Sequence, residues 1–361
     1  MQNHRFFSPE LSQKVELLKS RTKKVQLGAI HFDSPLLLAP MSAICNSSFR
    51  VLMETLGAGG TVSELVSCHG INYGNERTLK MLDLNPLEKN MGIQIFGENA
   101  ISMAKAARIV EKSQPKFVDI NMGCPVRKVV NNGGGSALLK DSKKLSGFFK
   151  SIKNAINIPL TIKIRTGWDV DSINASEVIN IAKGEGIEFV SIHGRTRTQQ
   201  YKGSANWDLL EKIKSNSPLP IVGNGDLHNE SQVRNRLAIT NCDALMLGRG
   251  PVRDPFIFLK PFINTDENIS FSANDYLEVI RLFNALMEEQ DMRPRHHMIQ
   301  LRKHIVWFAQ GFPGVAKFRQ LCFQTNTKED AMRVAEDYFG NLQRAQKNIN
   351  LDESFMAGGH G

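Results

Sequence analysis

The stretch Phe117-Val118-Asp119-Ile120-Asn121-Met122-Gly123-Cys124-Pro125-Val126-Arg127-Lys128 decides the fold. A short run rich in β-branched and aromatic residues stops at Gly123. Cys124 follows between that glycine and Pro125, where a chain neither continues a strand nor easily starts a helix. Cys124 is therefore expected on a loop at the carboxyl end of a strand. It is either a small buried hydrophobe, as most free cysteines are, or a functional thiol. The neighbourhood favours the thiol. Asn121 offers a donor and an acceptor to a planar heterocycle, Arg127 and Lys128 are basic, and Asn131-Asn132-Gly133-Gly134-Gly135-Ser136 reads as a flexible polar loop rather than core filling.

Working outward, comparable apolar runs recur at 35–41, 61–66, 91–97, 160–167, 189–195, 219–226 and 244–250. Including 117–123, the starts lie about 25 to 30 residues apart, except for about 43 after the fourth, which is the spacing of a repeated strand, helix and two loops. Helix-like segments fall between them at 47–56, 100–112, 141–155, 174–185, 206–213 and 229–237, several opening on Asp, Asn or Ser as an N-cap does. The strands are near-continuously apolar, as in a parallel sheet covered on both faces. An open doubly wound sheet is the alternative. Eight even units favour closure into an α/β (β/α)8 TIM barrel.

The domain reading follows. Residues 1–24 read as an amphipathic helical extension, with Leu11, Val15, Leu17 and Leu18 at helical spacing, followed by the barrel at 25–263. From 264 to 346 the apolar periodicity becomes helical (Tyr276, Val279, Ile280, Phe283, Met287; Ile299, Leu301, Ile305, Phe308; Ala331, Val334, Ala335, Tyr338, Phe339), predicting a small helical-bundle domain. The glycine-rich 347–361 read as a flexible tail.

Composition excludes several classes. The chain is 41% hydrophobic and 22% charged, which places it among globular rather than disordered chains. No apolar run approaches the roughly 18 residues that crossing a bilayer takes, and no signal peptide opens the chain, so a cytoplasmic protein with no membrane partner is expected. Five cysteines without a CxxC pair or a His/Cys cluster argue against a disulfide framework and against a metal site. A net charge of +9 and a pI near 9.3 point to a polyanionic partner, because Lys and Arg gain by releasing phosphate counterions.

In a closed parallel barrel the carboxyl ends of the strands face one cavity, so polar residues there are the site candidates. They are Pro40 and Met41, Gln94, Asn121 and Cys124, Lys163 and Arg165, His193 and Arg195, Asn224 and Asp226, and Gly248 and Arg249. Gly223-Asn224-Gly225-Asp226 and Gly248-Arg249-Gly250 end the last two strands, where glycines let backbone amides cradle a phosphate. Lys163 stands among apolar residues and is expected to point into the barrel, where a buried lysine needs an anionic partner. His193 by itself reads as a satisfied core histidine. In the helical region Arg293, Arg295, His296, His297, Arg302, Lys303, His304, Lys317 and Arg319 form a basic set able to grip nucleic acid, while Trp307 and Phe312 read as core.

Together these segments resemble the tRNA-dihydrouridine synthases, most of all their bacterial B-type branch. The resemblance spans about residues 27–345. It is carried by Ala39-Pro40-Met41, Val62-Ser63-Glu64, Gln94-Ile95-Phe96-Gly97, Asp119-Ile120-Asn121-Met122-Gly123-Cys124-Pro125, Gly135-Ser136-Ala137-Leu138-Leu139 and Lys163-Ile164-Arg165-Thr166-Gly167-Trp168. Further on it includes Ile192-His193-Gly194-Arg195-Thr196-Arg197, Asn224-Gly225-Asp226, Leu247-Gly248-Arg249, Arg302-Lys303-His304 with Trp307, and Gly311-Phe312-Pro313.

The resemblance implies a flavin enzyme that reduces the C5–C6 double bond of uridine in tRNA with NADPH, and a monomer is expected. It implies FMN held by Pro40, Met41, Ser42, Gln94, Lys163, His193, Asn224, Gly225, Asp226, Gly248 and Arg249. Asn121 and Arg165 would hold the target base, and Cys124 would be the catalytic acid that protonates C5 after hydride reaches C6; Arg195, Arg302 and Lys303 are expected to bind the tRNA substrate. Competing readings are a flavin barrel acting on a small molecule and a tRNA-binding protein whose barrel has lost its chemistry.

Overall fold

The computed structural model describes residues 7–349 apart from 291, 343, 344 and 346; residues 350–361 of the expected tail lie outside the described residues. Eight short strands run in parallel: β1 (Leu36–Leu38), β2 (Gly60–Val62), β3 (Met91–Phe96), β4 (Phe117–Met122), β5 (Leu160–Arg165), β6 (Val190–His193), β7 (Ile221–Asn224) and β8 (Ala244–Leu247). Each pairs with the next, and β8 returns to β1 through Leu245↔Leu36 and Leu247↔Leu38, so the barrel closes as the spacing predicts.

The second strand is broken where one run was expected over 61–66. Gly60–Val62 pairs with Met91 and Gly92, then Val66–Ser67 pairs higher on β3 at Ile95 and Phe96. Between the two pieces the Ser63 hydroxyl accepts the Gln94 backbone N–H at 2.9 Å.

Strand alternation divides the core in two. Val118, Ile120 and Met122 on β4 turn outward to the helix layer, with Leu36, Leu38, Ile162 and Ile192 in the same cluster. Phe117 belongs to a separate cluster inside the barrel, with Leu37, Val62, Phe189, Val222 and Ala244. An N-terminal antiparallel hairpin, Val25–Leu27 with Ile30–Phe32, plugs that end. Its Phe32 meets Phe117 and Phe189 edge to face, both with ring centroids 6.0 Å away. The hairpin was not anticipated, because its strands are only three residues each.

The lead-in helix Pro9–Ser20 buries Leu11, Val15 and Leu18, but Leu17 faces outward at 45% exposure. It packs on the helical region: Ser8 N–H donates to Glu278, Lys14 pairs with Asp275 at 3.0 Å and Arg21 with Glu267. Among the described residues that region holds four helices, Ala273–Glu288, Pro294–Ala309, Val315–Gln324 and Lys328–Gly340. The third was not expected, and it buries only Phe318 and Cys322.

Barrel and bundle are knit by His304, whose ring lies 5.2 Å from Phe49 on the barrel helix Ser47–Thr55 and 4.4 Å from Phe283. Residues 347–349 depart from the expected loose tail. Lys347 Nζ donates to the carbonyls of Arg253 (2.6 Å) and Phe308 (2.7 Å), and Asn348 N–H donates to Gly311.

Candidate active site

The carboxyl ends of the strands surround one open cleft of about 1180 Å³ including its mouth. Pro40, Met41, Ser42, Gln94, Asn121, Cys124, Lys163, Arg165, His193, Asn224, Gly225, Asp226, Gly248 and Arg249 all line it. These residues come from seven strands and the loops that follow them. Only barrel closure brings them together.

Cys124 sits on the loop after β4, half-buried. Its backbone N–H donates to Asn121 Oδ1 at 2.9 Å, and its carbonyl accepts from the Ser136 hydroxyl at 2.7 Å. The glycine loop is therefore packed on Cys124. A side chain at Gly135, where φ is +58°, would stand 2.9 Å from the Cys124 carbonyl oxygen. Burial pushes the thiol above its usual range, against the Val126 N–H and the cations Arg165 and Lys163, so it stays protonated at neutral pH.

Lys163 points into the barrel and donates to Asn224 Oδ1 at 3.1 Å; Asn224 in turn donates to the Met246 carbonyl. Burial first, then repulsion from Arg165, brings its ammonium down to about 8. His193 is held well below its ordinary range by burial and by Arg165, Lys163 and Arg195. Arg195 faces its Nε2 at 3.2 Å, and a guanidinium can only donate, so Nε2 accepts and the proton of the neutral ring is on Nδ1.

Arg165 is 2% exposed; it donates from Nε to the Gly123 carbonyl and from one terminal nitrogen to those of Thr196 and Gln200. Its other terminal nitrogen has no partner among the described residues. Arg195 differs from its expected substrate contact. Its N–H groups go to the carbonyls of Lys202 and Gly203, to His193 and twice to Asp226, and it lies outside the cleft lining. Asp226 has φ +52°, beside Gly225 at +134°. Burial opposes its charge, but the His228 ring 3.8 Å away and hydrogen bonds from Arg195 and the Ala205 N–H hold the carboxyl well below the usual carboxylate range.

The helical-domain candidates separate. Arg302 caps the helix Val315–Gln324, donating to the carbonyls of Phe323 and Thr325, and Lys303 lies 5.2 Å over the Trp307 ring. Neither lines the cleft. His297 and His304 are buried, the latter with Nδ1 against the Gln300 carbonyl, so both are packing residues rather than surface cations. Arg293, Arg295, His296, Lys317 and Arg319 are not buried.

Two residues escaped the sequence reading. Tyr201 lines the mouth with Arg165 and Arg249 each 5.6 Å from its ring; it lies on an irregular loop with no local signal. Asp119 lies beneath Asn121, and its inward register, two residues earlier on the same strand, was the available clue.

A closed parallel barrel with one polar cleft at the carboxyl ends of its strands and an appended helical bundle defines a (β/α)8-barrel enzyme. The dihydrouridine synthase (Dus) family profile matches residues 37–349. The chain is 33% identical over 325 residues to tRNA-dihydrouridine synthase B of Xanthomonas axonopodis pv. citri, covering 88% of this chain and 96% of that protein. It is 32% identical to tRNA-dihydrouridine synthase B of Pseudomonas syringae pv. tomato, covering 91% and 98%. Among solved structures, histamine dehydrogenase from Rhizobium sp. 4-9 superposes with a TM-score of 0.54 at 13% identity, over 76% of this chain and 51% of that one, a likeness of fold alone. This chain belongs to the dihydrouridine synthase family of oxidoreductases, on the side of its B-type members.

Proposed function

We propose that this protein is an FMN-dependent, NADPH-driven enzyme that reduces the C5–C6 double bond of specific uridines in tRNA to 5,6-dihydrouridine. The observation that carries the reading is the presence, in one cleft, of a protonated thiol at Cys124 together with Lys163 and a glycine cradle. The names of the Xanthomonas and Pseudomonas relatives supply the substrate class.

The residues fit FMN. Gly225 has a backbone that L side chains rarely adopt, and a Cβ there would stand 2.5 Å from Ala205 Cβ and 3.1 Å from His193, so only glycine keeps that wall open. Backbone amides at Gly225 and Gly248, with the Arg249 guanidinium, would hold the phosphate. Pro40, Met41 and Ser42 would form the wall after β1, Gln94 and His193 would offer N–H groups to the ring, and Asn224 and Asp226 would brace Lys163 and Arg195. When bound, FMN supplies a hydride for C6 of the uracil.

The chain's own groups do the rest. Asn121 and the unpartnered terminal nitrogen of Arg165 would hold the base edge, and Lys163 would balance negative charge in the cleft. The Cys124 thiol would give its proton to C5, a task suited to an acid that burial keeps protonated at neutral pH. The target base must leave its stack, so surface cations such as Arg293, Arg295, Lys317 and Arg319 would grip the surrounding phosphates, with Lys303 nearer the barrel.

The decisive experiment incubates the purified protein with unmodified tRNA transcript and NADPH and measures dihydrouridine by nucleoside mass spectrometry. A colourless protein that takes up no FMN, or a flavin-loaded one that forms no dihydrouridine on any tRNA, would overturn the reading.

A pH prediction follows from Lys163. Its ammonium is present below about 8 and lost above, so attraction for an anionic ligand weakens as pH rises through that value. The Kd for FMN, read by fluorescence quenching, is expected to rise above pH 8 by up to about tenfold per pH unit. Lys163→Met should bind weakly with a flat profile. A flat wild-type profile between pH 7 and 9.5 would remove Lys163 from anion binding.

A further inference from the structure

Asp119 is 2% exposed inside the barrel, below the cleft lining, between its strand neighbours Gln94 and Thr161. Its Oδ1 accepts from the Thr161 hydroxyl at 2.6 Å, and its Oδ2 accepts from Gln94 Nε2 at 2.6 Å. An ionised carboxylate can only accept, so the Gln94 amide must present its nitrogen to Asp119. Gln94 Oε1 is then turned to Asn121 and accepts from Nδ2 at 2.7 Å. That orients Asn121 in turn, whose Oδ1 accepts the backbone N–H groups of Cys124 at 2.9 Å and Gly123 at 3.3 Å.

An isolated carboxamide can be turned end for end with little change in shape, and its donor and acceptor exchange places. Here that freedom is removed from two carboxamides in series from both ends: the backbone N–H groups of Cys124 and Gly123 can only donate to Asn121, and the Asp119 carboxylate can only accept from Gln94. We propose that Asp119 is a positioning residue that anchors the buried end of this series, holding Gln94 with one free N–H toward the cleft and, through Gln94, bracing Asn121 and the Cys124 loop that Asn121 carries.

Two consequences follow from this arrangement. Gln94 Nε2 and Asn121 Nδ2 each keep one N–H with no partner among the described residues, on side chains that line the cleft. Ring edges bearing carbonyl oxygens or unprotonated nitrogens are accepted there, and edges bearing amino groups are rejected. The thiol's position, moreover, depends on a carboxylate that does not touch it. Burial pushes the Asp119 carboxyl up to about 6, against hydrogen bonds from Gln94 and Thr161 and the charge of Lys163. The chain is thus locked at neutral pH and loosens as the carboxylate takes a proton and becomes a donor. The proposal rests on the flavin and uridine reading for the identity of the ring, but its core claim about Cys124 does not.

The test uses the purified full chain. In Asp119→Asn the nearly isosteric amide can present either end to Gln94, so the series loses its charged anchor at the buried end. The double variant Asp119→Asn with Gln94→Glu moves the carboxylate one link along: the introduced amide donates to the introduced carboxylate, which again accepts from Asn121. Two measurements are made on both variants: the iodoacetamide alkylation rate of Cys124 followed by peptide mass spectrometry, and kcat and KM for tRNA.

Asp119→Asn is expected to change the alkylation rate by about tenfold and lower kcat by at least about tenfold with KM for tRNA nearly unchanged, the scale of one lost hydrogen bond to a positioned group. The double variant is expected to return the alkylation rate to near wild type. An alkylation rate unchanged in Asp119→Asn, or a double variant that alkylates at the rate of the single one, overturns the proposal. If Asp119→Asn does not fold, the double variant against wild type decides, since a folded double variant with an altered Cys124 rate is equally fatal. Alkylation needs neither flavin nor tRNA, so failure of the proposed activity leaves this comparison standing.

Discussion

Cys124→Ala is expected to keep FMN bound and reducible by NADPH while dihydrouridine formation falls by about 100-fold or more, the range a positioned general acid contributes. Removing the Sγ atom leaves the backbone of the loop anchored, because the Asn121 and Ser136 contacts are made to the Cys124 N–H and carbonyl. The residues proposed to hold the flavin, Lys163 with Asn224 and the Gly225 loop, stand on other strands and are untouched. Bleaching of the flavin by NADPH should therefore proceed at its normal rate and stall only when tRNA must be reduced. Stopped-flow absorbance separates the two half-reactions, and mass spectrometry of the tRNA gives the product. A variant that modifies tRNA at the wild-type rate would end the assignment of Cys124 as the acid.

Phe117→Ala is expected to destabilise the fold by about 3–5 kcal/mol, the cost of emptying an aromatic site in a packed core. Phe117 is 1% exposed at the floor of the barrel, edge to face with Phe32 at 6.0 Å and with Phe189 at 5.8 Å. Gly92 on the next strand makes room for the ring, since a Cβ there would lie 2.2 Å from Phe117. The alanine leaves a hole that hairpin and strands together cannot close, and two edge-to-face pairs go with it. Urea unfolding should show a lower midpoint at unchanged slope. A loss below about 1 kcal/mol would mean that the hairpin collapses into the gap and the three-ring floor is dispensable. Because the ring lies a full layer below Asn121, FMN affinity in native buffer should hardly move.

Much of the site could be read from local pattern. The Asn-Met-Gly-Cys-Pro stretch and the paired glycine segments of the last two strands stand at strand ends, and a closed parallel barrel gathers strand ends into one cleft. Basic residues were less legible, because Lys, Arg and His look alike along a helix whether they face water or a neighbour. His304 follows Lys303 in a basic run, yet its ring lies between Phe49 and Phe283. Arg195 sits in a motif that suggests substrate, yet all its donors are consumed by Asp226, His193 and two loop carbonyls. Lys347 looks like part of a loose tail and is pinned between carbonyls of the barrel and the bundle.

Amino-acid order by itself determined the eight-fold repeat, the closed parallel barrel, the helical appendage and the strand-end positions from which the cleft is built. Those features are written in local periodicity, caps and turn residues, each of which acts over a few neighbours in the chain. Only the tertiary structure decided which cations remain free, that a hairpin floors the barrel, and that Asp119 anchors the Gln94 amide that braces Asn121. Burial and hydrogen-bond partnership belong to residues far apart in sequence, and they acquire values only when the strands close into register.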